Sequence, residues 1–310
     1  MRIVRHVFPI AAVAAVAALA LGAAAISAPQ TAPAKSDKSD RLTPPASGPI
    51  PVAFVLSEGA VMIDFAGPWE VFQDVYLPHR GKDMENQMPF RLYTVAETKA
   101  PIRLSGGLQV VPDSTFDDAP APKVVVIPAQ GGATPKMRVW IQKSAAHADV
   151  VMSVCTGAFV LADTGLLAGK SATTHHGAYK AFAMKYPDVR LQKGMRFVEN
   201  GGLATAGGLS SGIDLALRVV ERYFGREAAT ETAFQMEYLG EGWMKPQVNA
   251  VYAVRKVSTD AEPLCPVCDM EVDKASAPTS QYQKKTYYFC STGHKEQFDK
   301  APERFLESGS

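Results

Sequence analysis

The chain has 310 residues, a formal net charge of +1, 47% hydrophobic and 20% charged residues, and four cysteines. That length accommodates one large domain and one small one, each with a core of its own. A near-zero charge with no basic stripe excludes nucleic acid as the expected partner.

Residues 1–28 combine Arg2, Arg5 and His6 with a long Ala/Val/Leu run and small residues from Ala23 to Ala28. This pattern predicts a secretory signal, or an uncleaved membrane anchor, because ~20 apolar residues suffice to span a bilayer. The rest of the chain is then exported, with a bacterial periplasm as the expected compartment, either soluble or tethered to the inner membrane. Residues 29–50 are rich in Pro, Ser, Lys and Asp and predict a disordered linker.

From residue 51 short apolar runs alternate with helical patterns. VAFVL (52–56) reads as a buried strand, and 64–77 as a helix with Phe65, Trp69, Phe72 and Val75 or Tyr76 on one face and Pro68 in its first turn. FRLYTVA (90–96) and KVVVIPA (123–129) are two further strands, the latter running into Gln130, Gly131 and Gly132. A helix is expected over 134–146, then a strand over 149–154 that stops at Cys155. Residues 210–224 form a late helix with Ile213, Leu217, Val220 and Phe224 as its apolar stripe and Gly225 as its stop. Alternating strands and helices predict an α/β domain with a mainly parallel sheet over 51–245. Ligands in such sheets bind at the carboxyl ends of strands, where both Gly131–Gly132 and Cys155 fall.

Cys155 is the sole cysteine of the first 264 residues. Alone, a free cysteine is most often a small buried hydrophobe. Here a strand, a Cys-Thr-Gly turn and a helix follow one another, which is the layout of a nucleophile elbow. At a helix N-terminus the thiolate is favoured, so a lowered thiol pKa is expected. Gly157 lets the turn close. The N–H groups of Thr156 and of Gly131 or Gly132 are candidates for an anion pocket, together with Gly157. GLLAGKS (165–171) is not a phosphate loop, since three residues rather than four separate its glycines.

The stretches 150–176, 62–72 and 201–221 together resemble the ThiJ/PfpI superfamily, in particular its branch of isocyanide-hydratase-like proteins and AraC-regulator domains. The resemblance covers about residues 51–240. It implies a flavodoxin-like sandwich, commonly a homodimer, with Cys155 as nucleophile in a pocket close to the dimer interface. It also places an acidic partner of the thiol at Asp64, a threonine after the nucleophile at Thr156, and a histidine within reach at His175. Asp64 also suits a helix N-cap. Protease-like members carry a histidine directly after the cysteine; Thr156 stands there, which disfavours peptide hydrolysis. A cysteine beside a carboxyl suits addition of water to a small electrophile such as an isocyanide, with no cofactor in the large domain.

Residues 246–262 read as a linker, and 263–308 as a second domain. Cys265 and Cys268 form a C-x-x-C knuckle; Cys290 and His294 form C-x-x-x-H after 21 intervening residues. Three thiolates and an imidazole match a closed tetrahedral metal site in a small α+β module. A disulfide is the competing reading in an exported chain, although it leaves one cysteine and His294 over. The segment resembles a YHS domain, with Cys265, Asp269 and His294 departing from its usual residues. Zinc and cuprous copper fit the donor set equally.

Two functions follow from the sequence. One is an exported cysteine-dependent hydratase or hydrolase of a small molecule, with a metal-binding tail. The other is a non-enzymatic periplasmic protein that handles copper or zinc or senses oxidation through Cys155. A ligand-binding relative of AraC-type regulators is a third, weaker reading.

Overall fold

The computed structural model describes residues 40–45, 48–254 and 257–306. The export segment expected over 1–28 and residues 29–39 of the expected linker lie outside the described residues. Asp40 and Leu42 of that linker are docked rather than free. Leu42 donates its N–H to the Arg222 carbonyl at 2.9 Å, and Asp40 pairs with Arg218 and Arg222. Its polar composition matches charges on the large domain instead of solvent.

Strand β1 (Ile50–Val55) leads into helix α1 (Met62–Gln73). A short helix α2 (Met84–Gln87) precedes β2 (Phe90–Ala96). The hairpin of β3 (Ile102–Arg103) and β4 (Gln109–Val110) is followed by β5 (Ser114–Thr115) and β6 (Val124–Ile127). Then come α3 (Pro135–Ala145), β7 (Val150–Ser153) and α4 (Gly157–Asp163). A minor pair, β8 (Ser171–Ala172) and β9 (Arg190–Leu191), brackets α5 (Tyr179–Lys185). The large domain closes with β10 (Phe197–Asn200), β11 (Leu203–Ala206), α6 (Ser211–Phe224) and α7 (Arg226–Gln235).

The main sheet has the order β10-β11-β7-β6-β1-β2-β5, and every neighbour pair except β10–β11 is parallel. Alternate residues of each strand feed two cores. Val52 and Phe54 of β1, with Val124 and Val126 of β6, face α1 and α6. Ala53, Val55, Val125 and Ile127 face α3, α4 and α5. Burial on both faces is why these strands read as unbroken apolar runs without alternation. This is the mainly parallel flavodoxin-like sandwich that the sequence implied.

Three local expectations change. Helix α1 starts at Met62 with Val61 at its N-cap, so Pro68 lies mid-helix, buried against Gly212 of α6, and Asp64 is not the cap. Helix α6 is buried on nearly every face, including Asp214, Glu221 and Arg222, because Arg196 pairs with Asp214, Glu199 with Arg222, and Arg218 of the same helix and Arg226 of α7 with Glu221. The connection over 246–262 is not a plain linker: Pro246–Ala253 forms a 3₁₀ segment that packs on the large domain through Asn249 and Ala253.

The tail consists of a hairpin, β12 (Thr279–Tyr282) and β13 (Lys285–Tyr288), and helices α8 (Thr292–Lys300) and α9 (Glu303–Leu306). Its small core gathers Cys265, Val267, Cys268, Phe289, Phe298 and Phe305. Among the described residues no helix is long and apolar enough to cross a membrane.

Candidate functional site

Cys155 follows β7 and precedes α4, with a left-handed φ of 58° that L side chains rarely adopt. Its N–H donates to the Gly207 carbonyl at 2.8 Å, and its carbonyl accepts from the Thr174 hydroxyl at 2.9 Å. The strained residue is thus pinned on both sides by neighbouring segments. The next turn needs glycine for a steric reason: a Cβ on Gly157 would lie 2.2 Å from the Ile127 carbonyl oxygen. The thiol itself is buried, 7% exposed.

Asp64 enters from the first turn of α1 and is fully buried. Its Oδ2 accepts from the Ala129 N–H at 3.0 Å, which ties α1 to the end of β6. Its Oδ1 has no conventional hydrogen-bond partner. The Cys155 thiol is the side chain that interacts with this carboxyl. Burial pushes Asp64 up to about 7 against the pull of the Ala129 N–H and the thiol. Burial, then the Asp64 charge, push Cys155 up to about 11, although the N–H groups of Leu209 and Thr156 work in the opposite direction. The expected depressed thiol is therefore corrected: loss of water and a neighbouring carboxylate outweigh the N–H groups at the turn. Above about 7 and below about 11 the pair carries one proton, which the sulfur holds beside an ionised Asp64.

The anion pocket expected from Gly131, Gly132 and Gly157 also changes. The Gly131 N–H is directed to the Glu58 carbonyl at 3.4 Å and the Gly157 N–H to the Val154 carbonyl at 2.9 Å, while Gly132 looks onto open space. The N–H groups that act on the sulfur are those of Leu209, which has no signature in the sequence, and of Thr156. Leu209 has φ 47°, a non-glycine residue in the left-handed region just before α6. Thr174 has no sequence signature either, because a hydroxyl aimed at a backbone carbonyl leaves no motif.

His175 is engaged with the backbone around it. Its Nδ1 accepts from the Gly177 N–H at 3.1 Å, and its ring packs so closely on Gly208 that a Cβ there would meet Cδ2 at 2.5 Å. Burial and the neighbouring His176 lower its pKa, which favours the neutral ring.

In the tail, the ligating atoms of Cys265, Cys268, Cys290 and His294 all lie within 4.8 Å of one another. Cys268 and Cys290 sulfurs are 3.6 Å apart, and His294 Nδ1 is 3.7 Å from Cys265 Sγ and 3.1 Å from Cys290 Sγ. A tetrahedral centre with metal–sulfur bonds of ~2.3 Å spaces its donors by roughly 3.5–4 Å, so this set fits such an ion. The hydrogen bond between the two thiols of the first knuckle lowers Cys265 and raises Cys268. The first knuckle is shaped by the Asp269 N–H to Cys265 carbonyl bond of 2.8 Å and by Asp269 at φ 60°, where the usual YHS residue is glycine. The Ser291 hydroxyl caps α8 at the second knuckle by accepting from the His294 N–H.

The DJ-1/PfpI family profile matches residues 51–222, and the YHS domain profile matches residues 265–308. Isonitrile hydratase of Pseudomonas putida is 33% identical over 192 residues, covering 60% of this chain and 78% of that protein. The HTH-type transcriptional regulator GbdR of Pseudomonas aeruginosa is 26% identical over 187 residues, which span 58% of this chain and only 48% of the regulator. Among solved structures, a ThiJ/PfpI family protein from Pseudomonas syringae superposes with a TM-score of 0.54 at 24% identity, over 68% of this chain and 84% of that one. The elbow, the sheet order and the two profile matches agree: the chain belongs to the DJ-1/PfpI family and carries a YHS domain over residues 265–308.

Proposed function

We propose that the large domain is a cysteine-dependent hydratase of a small electrophile of the isocyanide class. One observation carries this reading: a lone buried thiol at a strained turn interacts with a fully buried carboxyl whose ionisation falls at about 7. The similarity to an isonitrile hydratase supports the substrate class.

The chemistry balances on these residues. Asp64 takes the thiol proton as the sulfur attacks the terminal carbon of the isocyanide and the C–S bond forms. The carbon gains a lone pair and takes that proton from Asp64, giving a thioimidate. Water adds to the same carbon, the C–S bond breaks, the sulfur regains a proton, and an N-substituted formamide leaves. A carboxyl near 7 is suited to both taking and giving the proton. Thr156 and Leu209 N–H groups hold the negative sulfur, and Thr174 fixes the turn that presents it.

The Cys265–Cys268–Cys290–His294 set would hold zinc or cuprous copper and so cross-link the tail. A second reading, metal handling joined to redox sensing, draws its first half from that set. Its second half calls for an accessible low-pKa thiolate, and Cys155 is buried and pushed up. Export through residues 1–28, soluble or anchored, and a homodimer complete the proposal. Met62 and Ile63 just before Asp64, with Leu209, are exposed apolar side chains that a partner subunit would cover.

The test is conversion of a small alkyl isocyanide to its formamide by the wild-type chain and by Cys155→Ala. The reading expects turnover in the first and none in the second. Equal turnover in both overturns it.

A further inference from the structure

The tail is held against the large domain in part by Lys180, whose side chain is largely buried. Lys180 lies in α5, whose neighbours Tyr179 and Phe182 are locked into the large domain, with the Tyr179 hydroxyl accepting the Gly194 N–H at 2.9 Å. The Lys180 side chain is 10% exposed, and its ammonium points away from its own domain. It donates to the Pro266 carbonyl at 2.5 Å and to the Phe305 carbonyl at 3.0 Å, and it pairs with the Asp269 carboxylate at 3.6 Å. An ammonium has three N–H groups, and all its partners belong to the tail.

Those partners are placed with purpose. Pro266 stands between Cys265 and Cys268, and Asp269 is the left-handed residue that closes the same knuckle. Phe305 belongs to the last helix, and its side chain joins the tail core. One turn along α5, Met184 packs on that core. Gly177, just before α5, lies close to Met270. The tail's own framework is small, so the shape of the knuckle is under-determined by its own residues.

We propose that Lys180 is a positioning residue of the tail's metal site: by holding the carbonyl and carboxylate of the first knuckle it sets the spacing of Cys265 and Cys268, so that metal loading and docking of the two domains are linked. This rests on the tail being a metal site. Groups that orient ligands from outside typically change metal affinity by about 10–100-fold when removed. Linkage makes the effect reciprocal, so the bound ion also strengthens docking on α5.

The experiment is zinc competition against a chromogenic chelator with the full chain. Lys180→Met keeps the stem and removes the donors. Lys185→Met is the control, since Lys185 pairs with Asp163 at 2.9 Å and not with the tail. Asp269→Asn removes only the ion pair and serves if Lys180→Met does not fold. The expected result is an affinity about tenfold weaker in Lys180→Met, a smaller loss in Asp269→Asn, and no change in Lys185→Met. Zinc should also slow amide exchange in α5 of the wild type. Affinities of Lys180→Met and Asp269→Asn within about twofold of the wild type would overturn the proposal while leaving the metal site standing. A wild-type chain that binds no zinc would overturn both.

Discussion

The two sulfur sites of this chain are built in opposite ways. At the elbow, one sulfur is placed by the sheet: β7 ends at Ser153, Gly207 and Thr174 grip the Cys155 backbone, and Asp64 enters from α1. Nothing from outside is needed to hold that geometry, because two apolar cores already fix the elements that carry it. In the tail, four donors come from two short knuckles over a core of a few residues. Three sulfurs and an imidazole gathered there suit a bound cation. A large core can afford a strained, desolvated functional group, whereas a small one needs its functional group as a staple.

The largest effect that tests this contrast is metal removal. Structural zinc contributes on the order of 10 kcal/mol to a domain of this size. A strong chelator should therefore abolish amide protection around Phe289 and Phe298 while β1, β6 and β7 stay protected, as read by hydrogen exchange. A tail that keeps its protection would break the contrast.

Next is the pH dependence of stability. The Asp64 carboxyl titrates at about 7 when folded and at the ordinary 3.8 when unfolded. Between those values the folded chain holds a proton that the unfolded chain has lost. Stability therefore falls as pH rises from about 4 and the loss is complete above about 7, at most about 4 kcal/mol. Asp64→Asn should be the more stable form at pH 8 and gain nothing at pH 3, as followed by urea unfolding at both values. A wild-type profile that is flat across that range would remove Asp64 from the account.

Gly157→Ala sharpens the role of the elbow. The added methyl meets backbone on β6 and the residue after it, and no side chain can swing away to make room. A loss of about 3 kcal/mol is expected from the urea midpoint. Thr174→Val is the smallest perturbation. It leaves the Cys155 carbonyl buried without its donor, at a cost of about 2 kcal/mol. It should also speed Cys155 alkylation, because releasing the turn opens a buried thiol to the reagent.

Much of this was legible in the residues. Strands β1, β6 and β7 are buried on both faces, and so stand out as short, valine-rich apolar runs. Cys155 before Thr156 and Gly157, and the two knuckles, announce themselves by spacing. What stayed hidden is mostly backbone. The Leu209 N–H that reaches the sulfur and the Gly131 N–H that turns away carry no side-chain signature. The docking of Asp40, Asn249 and Lys180 depends on partners far along the chain, which composition reads as solvated polar residues. The sign of the Cys155 shift was hidden for the same reason: burial and the nearness of Asp64 arise only on folding.

The central claim is that Cys155 and Asp64 act as one proton-sharing pair, and the direct test is the pH dependence of Cys155 alkylation in the full chain, read by mass spectrometry on the peptide that carries it. In the wild type the rate should rise with pH through about 7, as the pair loses its first proton and the carboxylate can take the next from sulfur. In Asp64→Asn that step should vanish and reactivity should begin only at higher pH, where the thiol ionises unaided. A single titration near the ordinary thiol value, the same in both proteins, would contradict the account.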